Sequence, residues 1–451
     1  MILFNSKNEQ HKKPFGAILN GQETIFHIMV IDQPSGDLLN KHKATEAYLV
    51  MAKDGEEPIY IHYHEAFLES NLLQDVKQPT QVFRFIWKGP FAGLFFYRFK
   101  VVYDDGVCEL TEEYQITVYE KDSYNTPQWM QRGLMYQIFP DRFARDKDFN
   151  AVAAKAQYEA DRHGSAFMLH DVWGEEPVHE SDENGIVWNN DFFGGNLKGI
   201  IEHLDYFVDL GVTVLYFNPI FKAFSSHRYD TGDYMTIDPL LGTEEDFRIL
   251  CAQAAKRGIR IILDGVFNHT GCDSLYFNKY GSYDTAYSEE IKDPGAYQSK
   301  ESIYYDWYRF TDYPEKYDSW WGIDTLPAVN EMTPSYLDYM LRGKDSVIKH
   351  WLRAGASGVR LDVADELPDG FLDELRVAVK SVDPNAAIIG EVWEDASNKV
   401  AYGVRRRYLQ GKQLDSVMNY PLKEGIIDFV GHSADAKQFG VLIERIWENY
   451  P

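Results

Sequence analysis

Three apolar runs that each lead into a carboxylate constrain this chain more than any other feature. Ile259 to Leu263 runs into Asp264, Val359 to Leu361 into Asp362, and Ala386 to Ile389 into Gly390 and Glu391. Short continuous apolar runs of this kind read as strands buried on both faces, as in a parallel sheet. A polar residue directly after such a strand sits at its C-terminal mouth, where parallel α/β barrels build their active sites. Two carboxylates from neighbouring strands, with Arg360 two residues before Asp362, suit acid/base and nucleophilic chemistry at a sugar carbon.

The surrounding pattern divides the chain in two. Residues 1 to about 125 carry short alternating runs, among them Thr24 to Ile31, Ala47 to Met51, Val82 to Trp87, Leu94 to Tyr103 and Tyr114 to Tyr119. Turn residues at regular spacing between such runs predict an all-β sandwich. Ser123 to Pro127 reads as a linker, and residues 126 to 451 then alternate strands with helices, the sign of βαβ units. Six strands are expected, at Leu134–Phe139, Val212–Phe217, Ile259–Asp264, Gly358–Asp362, Ala387–Glu391 and Leu414–Asn419. Helical patterns fall at Ile200–Leu210, Glu244–Lys256, Lys344–Ala354, Gly370–Val382 and Ala434–Asn449. An insertion at about 270 to 341 follows the third strand, and half of the residues from Tyr304 to Trp321 are aromatic. Those rings read either as a saccharide-binding wall or as a small core that holds the insertion together. The expected fold class is α/β: a (β/α)8 barrel that stops after about six strands, preceded by the sandwich. Open strand edges and apolar faces in such a chain read as the mark of a fragment of a longer protein, stable alone only if something covers them, such as self-association into a homodimer.

Charge and composition narrow the partners. Acidic residues outnumber basic ones 70 to 45, for a net charge of −25, which argues against nucleic acid and anionic membrane surfaces. No apolar run approaches the roughly 18 residues of a membrane helix. Cys108, Cys251 and Cys272 are odd in number and far apart, so neither a disulfide framework nor a cysteine metal site is implied. The first residues, Met-Ile-Leu-Phe-Asn-Ser-Lys, lack a charged-then-apolar leader pattern, and a cytoplasmic location is the expectation.

At its motifs the chain resembles the α-amylase family, glycoside hydrolase family 13. Tyr136-Gln-Ile-Phe-Pro-Asp-Arg-Phe143 resembles that family's first-strand signature, and His227 to Tyr234 the segment after its second strand. Asp264 to His269, Gly358 to Asp362 with Glu366, and Glu391-Val-Trp393 resemble its first three conserved regions. Leu326-Pro-Ala-Val-Asn330 resembles the Met-Pro-Lys-Leu-Asn marker of the neopullulanase and cyclomaltodextrinase branch, with amylopullulanase-like enzymes nearby. The β-rich N-terminus is similar, more weakly, to the starch-binding N-domain of that branch.

The resemblance implies a retaining glycoside hydrolase acting on α-1,4 glucosidic bonds of maltodextrin, pullulan or cyclodextrin, with α-1,6 cleavage left open. Asp362 would be the nucleophile and Glu391 the general acid/base. Arg360 would favour the ionised Asp362, and Glu391 would need an apolar or negative surrounding to keep its proton. Asp264, Asn268 and His269 would shape the pocket floor, Tyr136 would stack on the sugar, and His227 and Asp230 would line the pocket. Glu366 would tune linkage preference, although Asp365 departs from the usual Asn there. Trp393 would contact sugar or merely pack. Asp146, Asp148 and Asn150 resemble a calcium loop of relatives, but the twelve-residue calcium pattern is absent and no cofactor is required. The family's fourth region, a His-Asp pair, would fall beyond Pro451, and a chain without it is expected to be nearly inactive. The competing readings are an α-glucan transglycosylase and a non-catalytic α-glucan-binding protein.

Overall fold

The computed structural model describes residues 1–31, 43–69, 80–120, 126–161, 167–178, 180–181, 189–283 and 294–451. They form two compact units: Met1–Asn125 with Trp393–Gln413 and Asn419–Pro451, and Thr126–Val392 with Leu414–Met418. Of the expected linker, Ser123 to Asn125 lie outside the described residues, as does the stretch 284–293 of the insertion.

The first unit contains the expected sandwich. One sheet joins Ile2–Leu3, Glu23–Val30, Thr80–Lys88 and Glu65–Glu69, with Lys12–Lys13 on Glu23–Val30. The other runs Ile18–Leu19, Tyr114–Tyr119, Gly93–Tyr103, Ala44–Lys53 and Ile59–His62, with Cys108–Leu110 on its long strand. Alternation along these strands turns one set of side chains inward, and Phe26, Ile28, Leu49, Phe85, Phe99 and Val101 form the core between the sheets. The helix Ala436–Asn449 belongs to this unit, and Glu448 reaches the fully buried Lys12 at 3.4 Å. Burial lowers the Lys12 pKa, and the Glu448 charge opposes that.

The second unit is built on one sheet of six parallel strands in sequence order: Met135–Ile138, Val214–Phe217, Arg260–Gly265, Gly358–Leu361, Ala387–Gly390 and Ser416–Val417. This is the layout of a (β/α)8 barrel carried through six strands and left open on the described residues. The three central strands are buried almost throughout, as the unbroken apolar runs require. Glu244–Lys256, Val347–Ala354 and Asp369–Val382 are the crossover helices among them. A capping box on Thr243 and Asp246 starts the first of these. The expected helix Ile200–Leu210 is two short ones, Leu197–Glu202 and Leu204–Asp209, with a break at His203.

The glycine that opens the fourth strand has a packing reason. A Cβ on Gly358 would lie 2.4 Å from the Ala387 carbonyl oxygen and 2.8 Å from its nitrogen, both backbone atoms of the adjacent strand. The strand carrying Arg360 can pair with the one leading to Glu391 only because that Cβ is missing. Gly358→Ala should destabilise the protein by at least the ~1–3 kcal/mol typical of overpacking, since no flexible side chain can yield. A thermal melt checks this, and an unchanged midpoint would refute it.

Candidate active site

The register of the parallel sheet aims alternate side chains at its inner face. Val214, Tyr216, Ile262, Ala387 and Ile389 form the apolar layer there. One layer nearer the C-terminal mouth come Asp264 and Arg360, which are register partners on the third and fourth strands. Asp362 lies two residues past Arg360, and Glu391 ends the fifth strand.

These four side chains form one ionic cluster. Arg360 Nη1 lies 2.9 Å from Asp264 Oδ1 and 2.9 Å from Asp362 Oδ1, and Arg360 Nη2 lies 2.7 Å from Glu391 Oε2. All four residues are buried, between 2% and 9% exposed. Glu391 Oε2 also accepts the Val363 N–H at 2.9 Å. That N–H is aimed by a left-handed backbone at Val363, φ 38° and ψ 63°, a conformation a β-branched residue avoids.

Three carboxylates share one buried guanidinium, so acidic groups outnumber the cation in the cluster. Burial raises the Asp362 pKa, the Asp264 charge raises it further, Arg360 opposes this, and Glu391 adds to it. Burial raises the Asp264 pKa too, against Arg360 and two tyrosine hydroxyls. Arg360 favours the ionised Asp362 as expected, but burial and the like charges of Asp264 and Glu391 outweigh it. Glu391 has a negative neighbour in Asp362, one of the expected surroundings, and it also contacts Arg360.

The other expected residues separate into three groups. Asp264 is the floor, accepting from Tyr216 Oη at 2.5 Å and Tyr229 Oη at 3.0 Å. His269 is buried to 2%, burial drives its pKa down to about 3, and neither ring nitrogen has a hydrogen-bond partner among the described residues. It is a neutral imidazole under the Trp320 ring, with centroids 5.4 Å apart. His227 and Asp230 order their own loop. Tyr229 N–H donates to His227 Nδ1 at 3.0 Å, and Asp230 accepts the N–H groups of Phe224 and Ser225 at 3.1 and 3.0 Å.

Asn268 donates to Glu366 Oε2 at 3.1 Å, so it holds that carboxylate and does not join the ionic cluster. Trp393 is 41% exposed two residues past Glu391. Tyr136 is not brought to the carboxylates. Its register partner is Leu215, whereas the inward Tyr216 pairs with Gln137, and Tyr136 packs edge-on against Phe207 at 5.4 Å. The aromatic ring at the cluster is Tyr229, whose hydroxyl bonds Asp264; Tyr216 supplies the second hydroxyl.

Sequence reasoning also missed Glu331. This carboxyl, just after the Pro-Ala-Val-Asn marker, is 9% exposed, and burial pushes its pKa up to about 8; its own N–H opposes that and the Glu366 charge adds to it. At the first-strand loop, Asp146 accepts from Asn196 at 2.7 Å and Asn150 caps Ala153 N–H at 3.0 Å. The described residues gather no group of three His, Cys, Asp or Glu side chains that could hold a metal ion.

A carboxylate cluster at the C-terminal mouth of a parallel barrel sheet defines the class. The comparisons give the family: the alpha amylase catalytic domain matches residues 137–449, and the chain belongs to it. It is 34% identical to an amylopullulanase of Thermoanaerobacter thermohydrosulfuricus across 98% of this chain and 31% of that protein. It is 34% identical to neopullulanase 2 of Thermoactinomyces vulgaris across 74% of this chain and 50% of the relative. The chain thus spans about a third to half of these curated relatives. Among solved structures, a cyclomaltodextrinase aligns with all of this chain and 69% of its own, at TM-score 0.60 and 25% identity. The cyclic α-maltosyl-(1→6)-maltose hydrolase of Arthrobacter globiformis, solved with that sugar, aligns with 72% of this chain and 63% of its own, at TM-score 0.57 and 30% identity.

Glu331 makes the site's stability pH-dependent. The folded protein keeps this proton well above the ordinary value of 4.5, whereas the unfolded chain releases it there. The contribution is full below about 4.5 and is lost as pH rises toward about 8. Glu331→Gln should leave the melting midpoint unchanged relative to the parent at acid pH and raise it at mildly alkaline pH. Parallel melts check this, and an equal offset at both pH values would refute it.

Proposed function

We propose that the protein is a retaining α-glucan hydrolase of the neopullulanase and cyclomaltodextrinase kind, acting on α-1,4 bonds of maltodextrin-like substrates. The observation that carries this reading is the single guanidinium that gathers Asp264, Asp362 and Glu391 at the mouth of the parallel sheet. The relatives' names, all α-glucan hydrolases, and the sugars held by their solved structures support it.

In this mechanism Asp362 attacks the anomeric carbon and displaces the leaving oxygen, which takes the proton from Glu391. Glu391, now a base, draws a proton from water, and that water releases the sugar from Asp362 with its configuration retained. Arg360 holds both groups in register. Asp264, with Tyr216 and Tyr229, fixes the floor beneath the sugar.

Slow turnover by this chain alone belongs to the proposal, because its residues after Glu391 include no His-Asp pair like that of the family's fourth region, whose sugar contacts strengthen in the transition state. The test is product analysis after incubation with maltoheptaose and with pullulan, read by chromatography and by NMR of the released anomer. The chain should release maltooligosaccharides that are initially α-configured. Asp362→Asn and Glu391→Gln should each lower the rate by several orders of magnitude. Initial β-anomer refutes retention, and a rate matching an intact cyclomaltodextrinase refutes slow turnover. Binding of maltoheptaose with no turnover in any preparation would establish a glucan-binding role instead.

A further inference from the structure

The aromatic segment of the insertion resolves into two parts. Tyr304, Trp307 and Tyr308 are buried, and Tyr305 and Phe310 stack on one another, so these rings hold the insertion together. Trp321 differs. It is 63% exposed, yet three features fix it. Its backbone is left-handed at φ 50° and ψ 28°, a conformation a bulky residue avoids. Its ring lies on Trp320 with centroids 5.1 Å apart and planes 12° from parallel. Its indole N–H donates to Glu366 Oε1 at 2.8 Å.

The bracing continues into the active site. Trp320 rests on His269, and Glu366 is held from its other oxygen by Asn268. The Glu366 N–H donates to the Val363 carbonyl, and the Val363 N–H donates to the acid Glu391. A short hydrogen-bonded path therefore links the outer indole to the group that protonates the leaving oxygen. An exposed indole contributes little to folding, and holding it in a disfavoured backbone conformation is costly. Rigid indoles with one polar edge tied down offer a flat apolar face, which suits the C–H face of a glucose ring.

We propose that Trp321, backed by Trp320 and positioned by Glu366, is a stacking platform for a glucosyl unit flanking the scissile bond and helps set which oligosaccharides the site accepts. This rests on the α-glucan reading above. Glu366 acts here as a positioning residue, through Trp321.

The test measures maltoheptaose binding by titration calorimetry with the full chain carrying Asp362→Asn, which prevents turnover. Adding Trp321→Ala should weaken binding roughly five- to tenfold. Trp321→Phe should recover part of that, and Glu366→Ala should weaken binding while Glu366→Gln, which keeps an acceptor oxygen, should not. Unchanged affinity in a folded Trp321→Ala protein overturns the platform. No maltoheptaose binding by the starting protein overturns the glucan reading itself, so the two failures are distinct. A second measurement needs no variant at Trp321: maltoheptaose should protect this indole from oxidation by N-bromosuccinimide, read by peptide mass mapping. Equal oxidation with and without saturating sugar overturns the proposal.

Discussion

The Arg360 guanidinium is the interaction on which the site depends. Its two outer nitrogens contact three carboxylates that arrive from three successive strands. Without that cation, three buried acids would stand together in an environment that penalises each charge, and they would take up protons or move apart. With it, one positive charge faces three acidic groups, and the imbalance keeps acid and base chemistry available in one cluster. The two carboxyl groups proposed as nucleophile and proton donor thus share one cation.

The rest of the second unit can be read as what holds this geometry still. Gly358 lets the fourth strand approach the fifth, which fixes the spacing of the strands that carry Arg360 and Glu391. Tyr216 and Tyr229 both donate to Asp264 Oδ2, which Arg360 also contacts at 3.1 Å, and His227 with Asp230 shapes the loop that presents Tyr229. The carboxylates of the cluster are paired, while Arg360 Nε, Asn268 Oδ1 and both His269 ring nitrogens have no hydrogen-bond partner among the described residues. The paired part of such a network is what holds two carboxyl groups in a fixed relation.

Much of this was legible in the sequence because burial leaves a plain mark there. Ile261–Leu263 and Ala387–Ile389 are apolar without interruption and Gly358–Leu361 is broken only by Arg360, so both the strands and the carboxylates at their ends could be read directly. The sandwich strands were readable for the opposite reason, a clean alternation of inward and outward residues. The facing of a strand was not readable. Tyr136 and Gln137 are equally plausible inward residues until pairing with Leu215 and Tyr216 decides between them, and that pairing lies far away in sequence. Tyr229 was within a quoted motif, yet only the loop geometry brings its hydroxyl to Asp264. Glu331 carried no signal at all, since an acid beside a loop marker reads as exposed until tertiary packing covers it.

Disfavoured local states collect around the cluster. Val363 and Trp321 both adopt left-handed backbone although neither is glycine, and Glu331 keeps its proton where a solvated carboxyl would not. Each costs stability, and strain persists only where surrounding structure over-determines it. Two of the three are tied to Glu366 or Glu391 through a hydrogen bond: Val363 donates to the acid, and Trp321 donates to the carboxylate four residues beyond the nucleophile. Folding stability alone would favour glycine at both backbone positions. Val at one and Trp at the other make sense if the N–H direction and the indole face are what the positions supply. The stability lost there is offset by the buried strands and the insertion core, which is why local sequence preference fails at the places where the chemistry sits.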